Sequence, residues 1–387
     1  MAAAAQPVLP DEILEDIFLR LDDAADLARA ACACACFRRF LLRFRSLHPA
    51  PVLGLLELHG RAAFYPAEPP HRSAPAARAL AQAADFTFSF LLPIGRTWRV
   101  CDARDGRVLL CRRVTVTAVF EELVVCDPVH RRYLKVPPIP DDLAASAGCR
   151  GMRHFDPFFY PASKEEEHNL SFRLICAVQL QHELATFHFS SATGEWRVLE
   201  FPRSTPLDSS LAGSSGLFQH HCAHGCFFWT VSVFTSVFFM LDMCEMKLTL
   251  VELPPARVQP HGWAVVEAGE GMIGVIVLDD GMLDLYRKAL RSNGVGPEEW
   301  KLEKMIPLPE LDCYWQILCA ADGYALLQAT PQNLSQYAKL PLDMQESRYF
   351  TLDLKTFRIE RLCVLTLYIN GACLYASFPP LLSLPSL

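Results

Sequence analysis

His220-His221-Cys222-Ala223-His224-Gly225-Cys226 sets five potential metal ligands within seven residues. Imidazole nitrogen and thiolate sulfur are the donors zinc prefers. On an extended strand, alternate residues share a face, so His220, Cys222, His224 and Cys226 would line up. Four ligands strung along one strand are stretched well beyond a tetrahedral sphere of roughly 2 Å radius. The expectation is therefore a loop carrying ordinary core thiols, with no metal. Cys32, Cys34 and Cys36 in ACACACF raise the same question. On a helix only Cys32 and Cys36 share a face, and no CxxC pair sits nearby, so they are expected as small core residues.

Gly269-Glu270-Gly271-Met272-Ile273-Gly274 is a literal G-x-G-x-x-G. A dinucleotide site needs that motif to open a helix, whose N-terminus receives the pyrophosphate. Here it runs into Val275-Ile276-Val277-Leu278 and an Asp-Gly pair, which predicts strand, turn and strand. Lys164-Glu165-Glu166-Glu167-His168 is read as a solvated loop. No G-x-S-x-G elbow, P-loop or H-E-x-x-H occurs. With no catalytic constellation and no cofactor motif, the chain is expected to be no enzyme and to hold no cofactor or metal.

The elements that would position any site fall into two kinds. LPDEILEDIFLRL, residues 9–21, places Ile13, Leu14, Ile17, Phe18 and Leu21 on one helical stripe. Pro10 suits the first turn, and Asp11 and Glu12 answer the positive end of the helix dipole. Asp22 or Asp23 can cap a second helix, and Leu27, Ala31, Cys34 and Phe37 continue at helical spacing towards Phe40, Leu41 and Phe44. Residues 8–26 carry seven acids and one Arg, whereas residues 29–45 carry five Arg and no acid. So short a segment, with few large residues, makes a poor domain alone, and its apolar stripe needs a partner.

Leu9-Pro10-Asp11-Glu12, Ile13-Leu14, Ile17, Leu21, Leu27 and Cys36-Phe37-Arg38-Arg39-Phe40 resemble an F-box in order and spacing. Phe37 stands where that family usually carries Trp. The resemblance implies a three-helix module at residues 8–45 that binds a Skp-type adaptor and through it a cullin. It further implies an adaptor surface of Leu9, Pro10, Ile13, Leu14, Ile17, Leu21, Leu27, Cys34 and Phe37.

Residues 61–84 are Pro/Ala-rich and are expected as an exposed, irregular loop with a short helix. From Phe86 onward the helical period gives way to short runs of Val, Phe, Leu and Trp. Turn signals such as Asp105-Gly106, Thr193-Gly194, Asp280-Gly281 and Asp322-Gly323 separate them. The run Phe227 to Leu241 (FFWTVSVFTSVFFML) is shorter than the ~20 residues that span a bilayer and rich in strand formers, so it predicts paired core strands. Strand-like stretches recur with a closing proline at Pro137, Pro202, Pro254 and Pro307, about 50 to 65 residues apart, the size of a propeller blade. Five such units fit between 98 and 365, and a sixth can combine residues 52–95 with the C-terminal LYASFPPLLSLP. The competing architecture is a pair of β-sandwiches. DGRVLL followed by CDPVHRRY also resembles the propeller-like region attached to many plant F-box proteins.

Composition agrees with a folded chain of 387 residues, 51% hydrophobic and 20% charged. A net charge of -7 argues against nucleic-acid or anionic-membrane partners. MAAAAQPVLP lacks a secretory signal, so the 15 cysteines are expected as reduced thiols in cytoplasm or nucleus. The fold expectation is α+β in two parts, a small three-helix F-box followed by a mostly-β domain at 52–387, a β-propeller of about six blades. The functional expectation is the substrate-recognition subunit of a Skp–cullin–F-box ubiquitin ligase, with the β domain recruiting a target protein. The alternatives are a propeller enzyme or small-ligand binder with a non-functional helical N-terminus, or an F-box protein that acts without degradation. Recognition is expected in loops 203–216, 291–299 and 331–347, whose lengths exceed what turns require.

Overall fold

A computed structural model describes residue 13 and most of residues 50–377; within that span 59–62, 92–97, 113–119, 150–151, 153, 161–170, 181–183, 200–217, 231–236, 244–246, 257–261, 292–293, 296–298, 311 and 332–345 are outside the described residues, as are 1–12, 14–49 and 378–387. The described strands form six antiparallel sheets, the blades of a propeller.

Blade 1 draws on both ends of the chain, with β1 (Val52–Glu57) between β2 (Phe64–Pro66) and β24 (Ala372–Ala376). Blade 2 runs in order through β3 (Arg99–Arg104), β4 (Arg107–Arg112), β5 (Glu122–Asp127) and β6 (Arg132–Lys135). Blade 3 holds β7 (His154–Tyr160), β8 (Arg173–Gln179), β9 (Leu184–Ser190) and β10 (Glu195–Leu199). Blade 4 holds β11 (Phe218–Ala223), β12 (Cys226–Thr230), β13 (Val237–Asp242) and β14 (Lys247–Glu252). Blade 5 has β15 (Trp263–Glu267), β16 (Met272–Asp279) and β17 (Met282–Arg291), with β18 (Gly294–Val295) and β19 (Lys301–Pro307) both pairing with β17. Blade 6 holds β20 (Cys313–Ala321), β21 (Tyr324–Pro331), β22 (Ser347–Asp353) and β23 (Ile359–Leu365). Two helices complete the described elements, α1 (Ala74–Ala83) and α2 (Asp141–Ser146).

The repeat read from the prolines is the blade. Pro137, Pro254 and Pro307 lie at or just beyond the ends of the outer strands β6, β14 and β19, where a lost N–H costs no ladder bond. The unit shared by the two ends, blade 1, is closed as the sequence suggested, by pairing an early strand with a late one. Leu55 sits opposite Leu374, and Leu56 opposite Cys373. Asp105-Gly106, His224-Gly225, Asp280-Gly281 and Asp322-Gly323 all take positive φ at both positions, the two-residue turn that matches strand twist.

Residues 61–84 contain the expected short helix, α1, but are neither irregular nor exposed throughout. Part of the stretch is strand β2, and Ala74, Ala76, Ala77 and Leu80 of α1 are buried rather than exposed. Small residues let the helix lie close on blade 1, which a Pro/Ala-rich composition does not advertise. The paired strands expected from FFWTVSVFTSVFFML are β12 and β13. The three helices expected at 8–45 lie outside the described residues, apart from Ile13, which is helical. Among the described residues no helix is long and apolar enough to cross a membrane.

The core is divided by blade. One buried cluster joins blades 1, 2 and 6, a second blades 2 and 3, and others fill the seams between 3 and 4, 4 and 5, and 5 and 6. The 3–4 seam is packed with rings, Phe158, Phe227 and Trp229 lying within 6 Å of one another.

Candidate functional site

The inner strands β3, β7, β11, β15, β20 and β24 gather around the axis. Three of them carry a β-bulge at a corresponding place, between Val100 and Asp102, Phe218 and His220, and Ile317 and Cys319. A bulge re-aims the side chains that follow it. The residues just past these three bulges are Asp102, His220 and Cys319.

Asp102 accepts hydrogen bonds from the backbone N–H of Ala103 and, across the seam into blade 3, of Phe159, each at 2.8 Å. Burial raises its carboxyl, and the charges of His220 and Arg104 oppose that rise only in part. His220 donates from Nδ1 to Asp156 Oδ2 at 3.2 Å and stacks on Phe158, centroids 4.2 Å apart. Burial works against a charged imidazole, but Asp156 and then Asp102 outweigh it and hold the His220 pKa above its ordinary value. Burial likewise opposes ionisation of Asp156, yet His220, with His154 and Trp229, leaves that carboxyl below its usual range. Each partner thus favours the charged form of the other. Arg104 crosses from blade 2 to the β20–β21 turn of blade 6 and bonds Asp322 at 3.2 Å. Chemically this axial cluster holds charge and ties blades 2, 3, 4 and 6 together. Cys222, close to Arg104, is pushed up to about 11 by burial, so it is a thiol rather than a thiolate.

HHCAHGC forms the β11–β12 hairpin rather than the expected loop, so its ligand types diverge. His220 faces the axis, and His221 is buried beside Trp263, where desolvation lowers its pKa to about 3. His224 occupies the turn, with its N–H bonded to Glu267 at 2.9 Å and Nε2 donating to the Met272 carbonyl at 3.0 Å. Among the described residues no group of three or more His, Cys, Asp or Glu is close enough to hold a metal ion. Gly269 to Gly274 spans the β15–β16 hairpin, as its sequence predicted. A Cβ at Gly274 would meet Val266 and Ala268, so this glycine serves strand packing.

Of the adaptor surface, Ile13 is 47% exposed, while Leu9, Pro10, Leu14, Ile17, Leu21, Leu27, Cys34 and Phe37 lie outside the described residues. Loops 203–216, 291–299 and 331–347 also lie largely outside them, but their flanking strands are placed. Strand alternation puts the ends flanking 203–216 and 331–347 where inner strands begin. Those flanking 291–299 open on the opposite end, with the Asp105-Gly106 and Asp322-Gly323 turns. The described ends flanking the three segments therefore do not share a rim. Asp102, Arg104 and Asp156 went unnoticed in the sequence, because neither a bulge nor a contact between blades leaves a mark in residue type.

Residues 7–48 match the family model described as F-box-like. No curated protein matches the chain. Among solved structures it is similar to TolB from Acinetobacter baumannii, at 10% identity and a TM-score of 0.35, covering 66% of this chain and 52% of that one. It is also similar to a post-proline cleaving enzyme from Rickettsia typhi, at 8% identity and a TM-score of 0.38, covering 92% of this chain and 58% of that one. A third is Aleuria aurantia lectin in complex with alpha-methyl-L-fucoside, at 7% identity and a TM-score of 0.37, covering 72% and 83%. This chain thus spans about half the length of the TolB chain it resembles. The six-blade reading stands on the chain's own sheet order.

Proposed function

We propose that this protein is the substrate-recognition subunit of a Skp–cullin–F-box ubiquitin ligase. The observation that carries the reading is an F-box-like match at 7–48 followed directly, from Val52, by a propeller. F-box domains generally bind Skp adaptors, and a propeller offers rims and edges on which a protein can dock. In this role the chain makes no covalent bond and is no enzyme. It raises the concentration of a captured protein beside the ligase, in cytoplasm or nucleus. The adaptor side would use Leu9, Pro10, Ile13, Leu14, Ile17, Leu21, Leu27, Cys34 and Phe37, in an interface of about 1,600 Å².

Co-purification with a Skp-type adaptor tests this directly. Ile17→Asp puts a charge into an apolar seam and should cost several kcal/mol, abolishing capture. Adaptor binding that survives both Ile17→Asp and deletion of residues 1–45 contradicts the reading. Partner turnover, followed with the proteasome active and inhibited, distinguishes a degrading receptor from one that acts without degradation.

A further inference from the structure

The outer strand of blade 5 leaves two large apolar side chains in solvent, Leu302 at 49% and Met305 at 54% exposure. In a regular strand, residues three apart point to opposite faces. Here the register of β19 against β17 shifts between Leu285 and Tyr286, with Glu303 as the extra residue. Leu302 consequently sits opposite Tyr286 and Met305 opposite Asp284, on the same face. That face continues inward to Val275 and Val277, both fully buried against blade 4. Two rows thus run from core to solvent, Val275–Tyr286–Leu302 and Val277–Asp284–Met305.

The second row contains an anomaly. Asp284 is 6% exposed, lies between a buried valine and an exposed methionine, and its Oδ1 has no hydrogen-bond partner among the described residues. A buried acceptor left unpaired is costly, and no group among the described residues satisfies it. Asp279 and Asp280 stand exposed at the adjoining turn. The neighbouring bases point elsewhere. Arg287 bonds Glu303 at 2.6 Å, and Lys304 lies over the Phe357 ring at 4.0 Å. Lys288 lies further along β17, over Trp300 at 5.5 Å. Among the described residues the outer edge of β19 pairs with no strand.

We propose that this edge of blade 5 docks an extended protein segment that adds a strand to β19 and carries a Lys or Arg between apolar side chains. The open backbone supplies ladder bonds, and Leu302 and Met305 receive the apolar residues. The base answers Asp284, with Asp279 and Asp280 extending the attraction. A second copy of this chain fits poorly, since a two-fold contact would set the same carboxylates against one another. The proposal rests on the substrate-receptor reading and supplies the chemistry of what it captures.

Random twelve-residue peptides displayed against the full chain provide the test. Enriched peptides should place Lys or Arg beside apolar residues, and replacing that base with Glu should abolish binding to the wild-type chain. Leu302→Ser with Met305→Ser should weaken binding about tenfold or more, and Asp284→Asn should erase the preference for a base while keeping the apolar one. Three outcomes overturn the site: enriched peptides without a base, affinities unmoved by these variants, or a wild-type dimer that the Met305 change dissociates. Adaptor co-purification on the same samples separates the two claims. Its failure strikes the proposed function, whereas its persistence beside indifferent peptides strikes only the docking site.

Discussion

Blades 1 and 4 solve the same packing problem by different means. Blade 4 is contiguous, each strand a hairpin away from the next, and it is filled by Phe227, Phe228, Trp229, Phe238 and Phe239. Blade 1 joins β1 and β2 to β24 from the far end of the described chain, with aliphatic residues such as Val52, Leu53, Leu55 and Leu374 beside the rings of Phe64 and Tyr375. Its register is fastened by directional bonds. Tyr375 donates its hydroxyl to the Gly106 carbonyl at 3.0 Å, and backbone bonds link Leu58 to Gly371 and Ser377 to Pro51. Outside the sheet, His71 bonds Thr351 at 3.1 Å and Arg72 bonds Glu360 at 2.6 Å, holding the segment before α1 to blade 6. The lesson is that local strands can rely on bulk apolar area, whereas a closure made across the whole ring needs polar bonds to fix its register.

The strongest way to break this contrast is to remove residues 366–387. Without β24, β1 and the inner strands β3 and β20 lose a neighbour, so the whole domain should lose its cooperative melting transition. A truncated chain that melts like the full one would make the closure dispensable. Trp229→Ala comes next. It empties the most voluminous fully buried side chain among the described residues and should cost about 3–5 kcal/mol by denaturant titration. Tyr375→Phe removes one buried hydroxyl bond with almost no change of volume, and about 1 kcal/mol is expected. Losses of equal size for Trp229→Ala and Tyr375→Phe would erase the distinction between bulk packing and directional fastening.

The smallest effect is a pH dependence. Ser73 N–H donates to His71 Nδ1 at 3.2 Å, so the neutral ring donates from Nε2 to Thr351. Burial lowers the His71 pKa. Folding therefore excludes this proton, and stability should fall as pH drops below the ordinary His value of about 6.5. His221, held to about 3, acts in the same direction. His220 acts oppositely, because its raised pKa gives a contribution that is present below that value and lost as pH rises through the folded pKa. Melting temperatures of His71→Gln should fall less steeply between pH 7 and 5 than those of the parent. Identical slopes would show that His71 bears no part of the acid response.

Much of the ring was readable because blade repetition is written in periodic residue types. Proline ends, Asp-Gly turns and alternating apolar runs gave five contiguous units and the shared sixth. The sequence reading failed where side-chain direction depends on tertiary register. HHCAHGC is a hairpin whose histidines have three different fates. Asp102 and Asp156 look like ordinary strand-interrupting acids until bulges and neighbouring blades turn them to the axis. Leu302 and Met305 share a face only because Glu303 bulges. The burial of Ala74, Ala76 and Ala77 in the expected short helix went unread because small residues carry little hydrophobic signal, yet their size is what lets α1 sit against blade 1.

Hydrogen exchange on the full chain tests most directly the central claim, that both ends of the chain close one cooperative ring. If they do, the ladder amides of β1 and β24 should exchange as slowly as those of β8 and β9 in contiguous blade 3, because each would open only when the whole domain unfolds. Rapid exchange along β1 and β24, with blades 2 to 6 still protected, would contradict the closed propeller.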